Sequence, residues 1–372
     1  MTPNNSAVHA TPEPYSSVSS ATTTTNNAGN EYSKIQRLLS DMSTTMASSV
    51  EQIHNINLTM RMISFNSKIE AVRAGEAGKA FAVVSGEMKS LSDKTTAVTD
   101  KMRNDTSKAI HELQIISNDI ATNVRGTRLS DLALMNIDLI DRNLYERSCD
   151  VRWWATDSSL VDALTNQDQD SLAFASKRLG IILNAYTVYF DLILCDTKGE
   201  IVARGRPGKY RNNGNQSNET WFKQAMSSAT GDDYGFQTVH ASALVDRQRA
   251  LIYSAAVREG GKTNGKVLGA LGIVFNYDNL AQVLMLNTPV GEEMRDLTRI
   301  CITDDKGLVL ADSANKVLAE TLHFPEMEKL YKLGKGFIIA EINTRRYCIA
   351  HARAPGYETY STGWHSLILQ QI

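Results

Sequence analysis

The side chains best suited to bind a partner molecule lie in residues 56–84, where charged and apolar residues are closely interleaved. Glu70 and Arg73 are three residues apart, so in a helix they share one face and can interact. Gly75 and Gly78 follow at once and favour a turn. A helix pair that only reverses direction does not need such a density of charge. The segment is therefore predicted to be an exposed tip that partner molecules contact.

The sequence lacks the common motifs of catalysis. It has no phosphate-binding loop, no Gly-x-Ser-x-Gly elbow, no His-Glu-x-x-His motif and no kinase signature, and its seven histidines are dispersed. Glu219 and the neighbours Asp232 and Asp233 come nearest to paired carboxylates, but solvated loops explain them better than acid–base catalysis. We therefore expect no enzyme activity, no metal and no cofactor.

The composition excludes several other classes of protein. A chain of 372 residues exceeds one average domain, and 39 Lys and Arg against 41 Asp and Glu give no indication of nucleic-acid binding. The four cysteines are scattered without a Cys-x-x-Cys pair, which favours a reducing compartment, the cytoplasm. No apolar run approaches the roughly 20 residues that span a bilayer, so neither a membrane span nor a secretory signal is expected.

Two amphipathic segments predict a helical hairpin that positions the tip. From Ile35 to Ile63 apolar residues recur at spacings of four and three, interrupted only by Ser49, and a similar run covers 81–102. These runs are the two arms of a hairpin that reverses near residues 75–76. Two such hairpins packed as an antiparallel four-helix bundle would bury the remaining apolar edge, so a homodimer is expected. An intramolecular helix pair packed on the rest of the chain is the alternative.

The second half of the chain changes from helical to strand-like periodicity. Proline is absent from residues 15–206, which permits helix as far as about Tyr189. Residues 189–203 then form an apolar strand, an Asp-x-Lys-Gly turn and a second strand, which is a β-hairpin pattern. The same pattern recurs 108 residues later over 300–311. Two related α/β modules are therefore predicted, closed by strands over 267–275 and 364–370.

The hairpin tip resembles the signalling tip of bacterial chemoreceptors, the methyl-accepting chemotaxis proteins. The resemblance is carried by Asn66, Ile69, Glu70, Ala71, Arg73, Ala74, Gly75, Glu76, Gly78 and Phe81-Ala82-Val83-Val84. The tip departs from the family's pattern at Arg61 and Lys68, which are cations in place of uncharged residues. In that family the tip assembles receptor dimers into trimers and binds a coupling protein and a histidine kinase, and these partners are what the resemblance implies.

The resemblance also implies a role for each matching tip residue. Contacts between dimers are implied for Leu58, Met62, Phe65, Asn66, Glu70 and Arg73. A position near the coupling-protein surface is implied for Glu76 and Val83, and Gly75, Gly78 and Phe81 complete the signalling tip.

Residues from about 130 to the end resemble a double Cache sensor, in which a long helix leads into two PAS-like modules. The first module carries Trp221-Phe222-Lys223-Gln224-Ala225 after a polar loop. In amino-acid-binding members an Arg two residues before this Trp holds the ligand's carboxylate, and an Asp on the closing strand holds its amine. Glu219 and Val274 stand at those places, so a standard amino-acid ligand is not expected.

What remains for a pocket in the first module is a set of aromatic rings and cations, which suits a small anion or a ring-bearing ligand. The members of this predicted ligand set are Arg204, Arg206, Tyr210, Arg211, Trp221, Phe222, Tyr234 and Tyr253. Core packing explains Trp221 and Phe222 equally well, and Arg211 is more typical of a solvated loop. A sensor that has lost its ligand is a further interpretation.

The predicted fold is α+β, a long antiparallel helical hairpin plus two PAS-like antiparallel-sheet modules on a long helix. The predicted boundaries are a disordered tail over 1–31, the signalling hairpin over 32–125, and the sensor over 126–372 with its long helix over 126–189, first module over 190–285 and second module over 286–372.

The function that these patterns predict is a soluble, chemoreceptor-like signal transducer with its signalling hairpin ahead of its sensor. A small molecule bound by the sensor would change how the tip acts on a chemotaxis histidine kinase and its coupling protein. Two alternatives belong to other classes. One is an adaptor or decoy that inserts in receptor arrays without sensing, and the other is a ligand-binding protein whose hairpin only dimerises it.

Overall fold

The structure, a computed structural model, describes residues 19–211 and 214–372. The chain divides into two compact units, with the boundary between Val124 and Arg125. Of the tail predicted to be disordered, residues 1–18 lie outside the described residues, whereas 19–31 belong to the first helix. Adding turns to an existing helix costs little, so Thr, Asn and Ala can extend it. No helix in the described ranges is long and apolar enough to cross a bilayer.

The first unit is the predicted hairpin. Helix α1 (Ser19–Arg73) and helix α2 (Lys79–Trp154) are joined by a 3-10 turn over Gly75–Gly78. Gly75 has a φ of +59°, which disfavours residues with a side chain. At Gly78 a Cβ atom would lie 2.0 Å from the carbonyl oxygen of Ala71, so only glycine allows this close return.

Small and polar residues lie buried in the hairpin together with a few large apolar ones, Leu39, Val50 and Ile110. The Ser64 hydroxyl donates to the carbonyl of Ser85 at 2.7 Å, and the Ser92 hydroxyl donates to the carbonyl of Asn57 at 3.3 Å. Short side chains let the backbones approach, which leaves part of the predicted apolar seam outside. The seam positions that remain exposed are Ile35, Met42, Ile56 and Ile63.

The single long helix predicted over 126–189 is instead three helices: α2, α3 (Ser158–Asn166) and α4 (Gln169–Ala185). Asp157 accepts a hydrogen bond from the amide of Ser159, and Asp168 accepts from the amides of Asp170 and Ser171. These aspartates cap the new helices and therefore set their starts. Between them Gln167 adopts a φ of +57°, which ends α3.

Two five-stranded antiparallel sheets follow, and their topology repeats. The first module contains β1 (Tyr189–Asp196), β2 (Ile201–Arg204), α5 (Thr220–Met226), β3 (Gly235–Ser242), β4 (Gln248–Arg258) and β5 (Val267–Phe275). The second contains α6 (Tyr277–Asn287), α7 (Glu292–Arg295), β6 (Thr298–Thr303), β7 (Val309–Asp312), α8 (Met327–Tyr331), β8 (Lys335–Ile342), β9 (Arg345–Arg353) and β10 (His365–Gln371). The strand orders, β2-β1-β5-β4-β3 and β7-β6-β10-β9-β8, are equivalent.

The two predicted Asp-x-Lys-Gly turns have the same internal bonding. One carboxylate oxygen of Asp196 accepts from the amides two and four residues ahead, both at 2.9 Å, and Asp304 does the same at 2.9 and 2.8 Å. Gly199 and Gly307 have φ values of +84° and +87°. The turns therefore define the structural repeat and need no functional explanation.

The hydrophobic core of the second unit lies between helices and sheets. One cluster joins the last third of α2, α3 and α4 with one face of each sheet. The opposite face of the first sheet carries a smaller cluster around Trp221, under α5. The opposite face of the second sheet carries another around Leu330, on α8. Each sheet is thus covered on both faces, which places α5 and α8 in equivalent positions.

Candidate signalling tip and sensor sites

Ion pairs at the turn make the tip a charged surface. The Arg73 guanidinium donates to the Glu70 carboxylate at 2.9 Å, and the Lys79 ammonium lies 2.6 Å from the Glu76 carboxylate. All four side chains are exposed, so neither pair is needed to hold the hairpin together, and exposed pairs stabilise weakly. Their charged groups remain available to another molecule.

Large apolar side chains stand exposed beside these charges. Phe65 is 67% exposed and Phe81 69%, although large aromatic side chains usually lie buried. Other exposed tip residues of the predicted set are Leu58, Met62, Asn66 and Val83. Contiguous apolar surface on a soluble protein marks an interaction site, so the geometry fits a surface that partners cover.

Arg61, one of the two departures from the family's tip pattern, is paired within the hairpin. Its guanidinium lies 2.5 Å from the carboxylate of Asp93 on the other arm. The charge of Arg61 is therefore offset locally, whereas Lys68 has no ion pair among the described residues.

The predicted ligand set does not converge on one site. Tyr210, Trp221 and Phe222 are buried in the cluster under α5. Tyr234 and Tyr253 pack on the opposite face of the same sheet, where the hydroxyl of Tyr253 hydrogen-bonds that of Tyr360. Successive residues of a strand point to opposite faces, so Tyr253 faces away from Ile252, which packs in the Trp221 cluster.

Two of the three cations of the predicted set, Arg204 and Arg206, are held by internal partners. Arg204 donates through Nε to the carboxylate of Asp191 at 2.8 Å and through Nη2 to the carbonyl of Leu244 at 3.0 Å. The backbone amide of Arg206 donates to Asp191, and its guanidinium donates to the carbonyl of Phe190. Arg211 is exposed. Asp191, which the sequence analysis missed, stands out in retrospect as a charge within an apolar strand.

A cavity of about 280 Å³ lies instead at the end of α2, and none of the predicted ligand residues lines it. Its walls are the last turn of α2, the turn that follows, the loop before β3 and the β4–β5 hairpin. We call it the α2-end cavity; the lining residues that matter below are Arg152, Trp153, Asp232, Ala256, Arg258 and Lys262. Arg152 and Arg258 are about 100 residues apart, and nothing in the sequence indicates that they lie close together in the fold.

The second module holds a buried pair of histidines. The two rings hydrogen-bond at 2.7 Å between His351 Nε2 and His365 Nδ1, and Tyr331 stacks on His365 with ring centroids 3.9 Å apart. Burial lowers the pKa of His351 to about 3 and the pKa of His365 to about 4, so both rings are neutral at pH 7. Both histidines are buried in the second module.

Comparison with known proteins supports the first resemblance. Residues 8–133 match the model of the methyl-accepting chemotaxis protein (MCP) signalling domain. The chain is 40% identical over 84 residues to the transducer protein Htr18 of Halobacterium salinarum, covering 22% of this chain and 10% of that protein. It is 38% identical over 73 residues to the methyl-accepting chemotaxis protein Amb0994 of Paramagnetospirillum magneticum, covering 20% and 16%. This chain thus spans only a small part of these relatives, and the predicted resemblance of the hairpin to the signalling domain of methyl-accepting chemotaxis proteins is confirmed.

Solved structures bear on the second resemblance. The ligand-binding domain of the Campylobacter jejuni chemoreceptor Tlp3 in complex with 4-methylisoleucine has a TM-score of 0.50 at 15% identity, covering 66% of this chain and 90% of that domain. The same domain in complex with L-valine gives 0.50 at 15%, covering 66% and 92%. At this level of identity the likeness concerns the fold alone, and the predicted fold of a chemoreceptor sensor is confirmed.

Proposed function

We propose that this chain is a dimeric signal transducer that binds a small molecule in its two-module sensor and acts through its hairpin tip on a chemotaxis histidine kinase and coupling protein. The observation that carries the proposal is the tip, where exposed aromatic rings flank exposed ion pairs on residues that match the family's motif. The proposal includes a cytoplasmic location, since four free thiols fit a reducing compartment. It includes no catalytic step.

The dimer is supported by apolar residues that repeat every seven positions on the outside of the hairpin. On α2 these are Val84, Leu91 and Val98, and on α1 they are Met42, Ile56 and Ile63, with the polar Ser49 at the position between the first two; all six apolar residues are exposed. A seven-residue apolar repeat favours packing against another helix. A second hairpin would cover both stripes at once and complete an antiparallel four-helix bundle. Trimers of dimers would then form through the tip.

Transmission through α2 is supported by its continuity. The helix runs from Lys79, next to the turn of the tip, to Trp154 in the sensor. A ligand that favours one arrangement of the sensor end of this helix shifts the population of states, provided that its affinity differs between them. A difference of a few kcal/mol is enough to change the ratio of states by a factor of 100 or so.

The test is a reconstituted assay of kinase autophosphorylation with the coupling protein and this chain. We expect the chain to change the phosphorylation rate severalfold, and Glu70→Arg to abolish the change because it reverses one charge of the tip. Glu51→Arg, on the exposed surface of α1 away from the turn, is the matched control and should behave like the unchanged chain. The signalling role fails if the chain neither alters the kinase nor retains the coupling protein in a pull-down.

The internal pairing of Arg204 and Arg206 favours one second candidate, an adaptor that inserts in receptor arrays without sensing. Such a protein would still require the tip, so Glu70→Arg does not separate the two functions. Thermal unfolding does: a sensor's melting temperature rises with its ligand, whereas that of an adaptor is unchanged by every compound of a metabolite library.

A further inference from the structure

The α2-end cavity concentrates positive charge, and neither of its guanidiniums forms an ion pair among the described residues. Arg258 is only 7% exposed, and its guanidinium donates to the carbonyls of Gly265 and Ser228 and to the Ser228 hydroxyl. Its Nε is buried and has no acceptor among the described residues. Arg152 donates to the carbonyls of Ser148 and Asp232. The hydrogen bonds of both guanidiniums thus go to neutral groups, so no directly bonded carboxylate offsets either charge.

The remaining charged residues of the lining do not change the sign of the site. Lys262 is exposed at the rim and forms no ion pair within the described part of the chain. Asp232 is the one carboxylate among the described lining residues, and it is exposed. Asp233, beside the lining, accepts from the amide of Thr230 at 2.8 Å, and this hydrogen bond, with a smaller contribution from the charge of Arg258, lowers the pKa of its carboxyl. The three cations of the lining therefore outnumber Asp232 and Asp233, and both carboxylates are exposed to solvent.

The other side of the cavity is apolar and its walls are fixed. Trp153 is 71% exposed at the end of α2, and Ala256 adds a buried methyl group. The amide of Gly231 donates to the carbonyl of Thr263 at 2.9 Å, which ties the loop before β3 to the β4–β5 hairpin. Gly261 fits against the backbone of Thr156, where a Cβ atom would lie 2.9 Å from the carbonyl oxygen. The cavity is thus built by close contacts.

We propose that the α2-end cavity is the sensor's ligand site and binds a small organic carboxylate, with the carboxylate between Arg152, Arg258 and Lys262 and the apolar part of the ligand on Trp153. A guanidinium matches a carboxylate in geometry and charge. A volume of about 280 Å³ suits a ligand the size of an aromatic acid. Such a ligand would join the last turn of α2 to the sheet and so affect transmission through α2. That effect on signalling rests on the proposed function.

Benzoate is the probe, and the full chain is the protein used. We expect benzoate to raise the melting temperature in a concentration-dependent way and to change the tryptophan fluorescence, with the spectral change lost in Trp153→Phe. Benzamide has the same ring without the charge, and inorganic phosphate has charge without a ring. Equal stabilisation by benzamide, or binding of phosphate but not of benzoate, would overturn the proposal.

Variants locate the site. Arg152→Gln should weaken benzoate binding about tenfold, the usual effect of losing one charged hydrogen bond. Lys262→Gln changes an exposed residue, so it tests the site without risk to folding and should weaken binding severalfold. Lys266→Gln, exposed on the same hairpin but outside the lining, should have no effect. If Lys262→Gln and Lys266→Gln bind benzoate equally, the ligand lies elsewhere.

The binding test is independent of the kinase test. Loss of benzoate binding in Arg152→Gln and Lys262→Gln supports the site even if the kinase does not respond to the chain. Conversely, a chain that controls the kinase but shows no benzoate binding refutes the site and leaves the signalling role intact.

Discussion

The two modules of the second unit use the same ion pair with its charges exchanged. In the first module Asp191 on β1 pairs with Arg204 on β2 at 2.8 Å. In the second, the residues 108 positions later are Arg299 on β6 and Asp312 on β7, and they also pair at 2.8 Å. The repeated fold thus requires opposite charges that link its first two strands, but it does not prescribe which strand carries which sign.

The environments of the two pairs differ. Both members of the first pair are buried, with side chains 6% and 0% exposed. In the second, Arg299 is 22% exposed and also pairs with Glu320 at 3.1 Å. Hydrogen bonds to Asp312 and Glu320 raise the pKa of Arg299 against the effect of burial. Water and a second carboxylate therefore make the second pair less dependent on any one partner.

The largest effect is expected from breaking the first pair. Arg204→Met leaves the buried carboxylate of Asp191 without its cation, which should lower the free energy of unfolding by about 3–5 kcal/mol. Arg299→Met should cost less, because Arg299 is partly solvated. Urea denaturation of each variant measures both losses.

Exchanging the two charges of the first pair tests whether the pairing itself stabilises the module. Since the second module already has the opposite polarity, Asp191→Arg combined with Arg204→Asp should recover part of the stability that either single change removes. A double variant no more stable than the single ones would mean that surrounding groups, rather than the pairing itself, fix the polarity.

The first two strands and the closing strand of each module could be predicted closely, whereas β3, β4, β8, β9 and the helices between hairpin and sheet could not. The closing strand predicted over 267–275 is β5 itself, because an uninterrupted apolar run bounded by turn residues admits few other structures. The breaks after Trp154 and Asn166 depend on the caps Asp157 and Asp168, which lie within an otherwise helical pattern. A cap outweighs helix propensity only when packing favours the turn, and that packing is not visible in the sequence.

The predicted ligand set shows a different limit. Its members share a side-chain chemistry, but Trp221 and Tyr253 fall on opposite faces of one sheet. Arg152 and Arg258 come from a helix end and a strand end and meet only in the folded chain. The alternation of residues along a strand predicts which face of the sheet each residue occupies. Which loop lies against which helix end can be seen only in the tertiary structure.

A second difference between the modules is how their stability changes as the pH falls. Above the ordinary histidine pKa of 6.5 the rings of His351 and His365 are neutral in both the folded and the unfolded chain. As the pH falls through 6.5 the unfolded chain takes up protons, but the folded rings resist until about pH 4, so stability is lost over this window. Protonation in the unfolded chain should lower the free energy of unfolding by about 2–3 kcal/mol for each ring at pH 4.5.

Local hydrogen exchange against pH tests this difference. Peptides of the second module should lose protection between pH 6.5 and 4.5 before those of the first. His365→Gln should flatten the pH dependence of stability, whereas His323→Gln, on an exposed residue of the same module, should not. Equal pH dependence in the two modules would exclude the histidine pair as the cause.

The smallest effect is expected at the Asp-x-Lys-Gly turns, where the two modules have the same structure. Asp196→Ala and Asp304→Ala each remove two hydrogen bonds from backbone amides to a turn carboxylate. The two bonds lie at the surface, so each change should cost about 1 kcal/mol. Because the turn geometry is the same, the two losses measured by urea denaturation should agree closely. A clear inequality would mean that the repeat is conserved in backbone geometry but not in energy, and that the charge-exchanged ion pair beside each turn contributes to the difference.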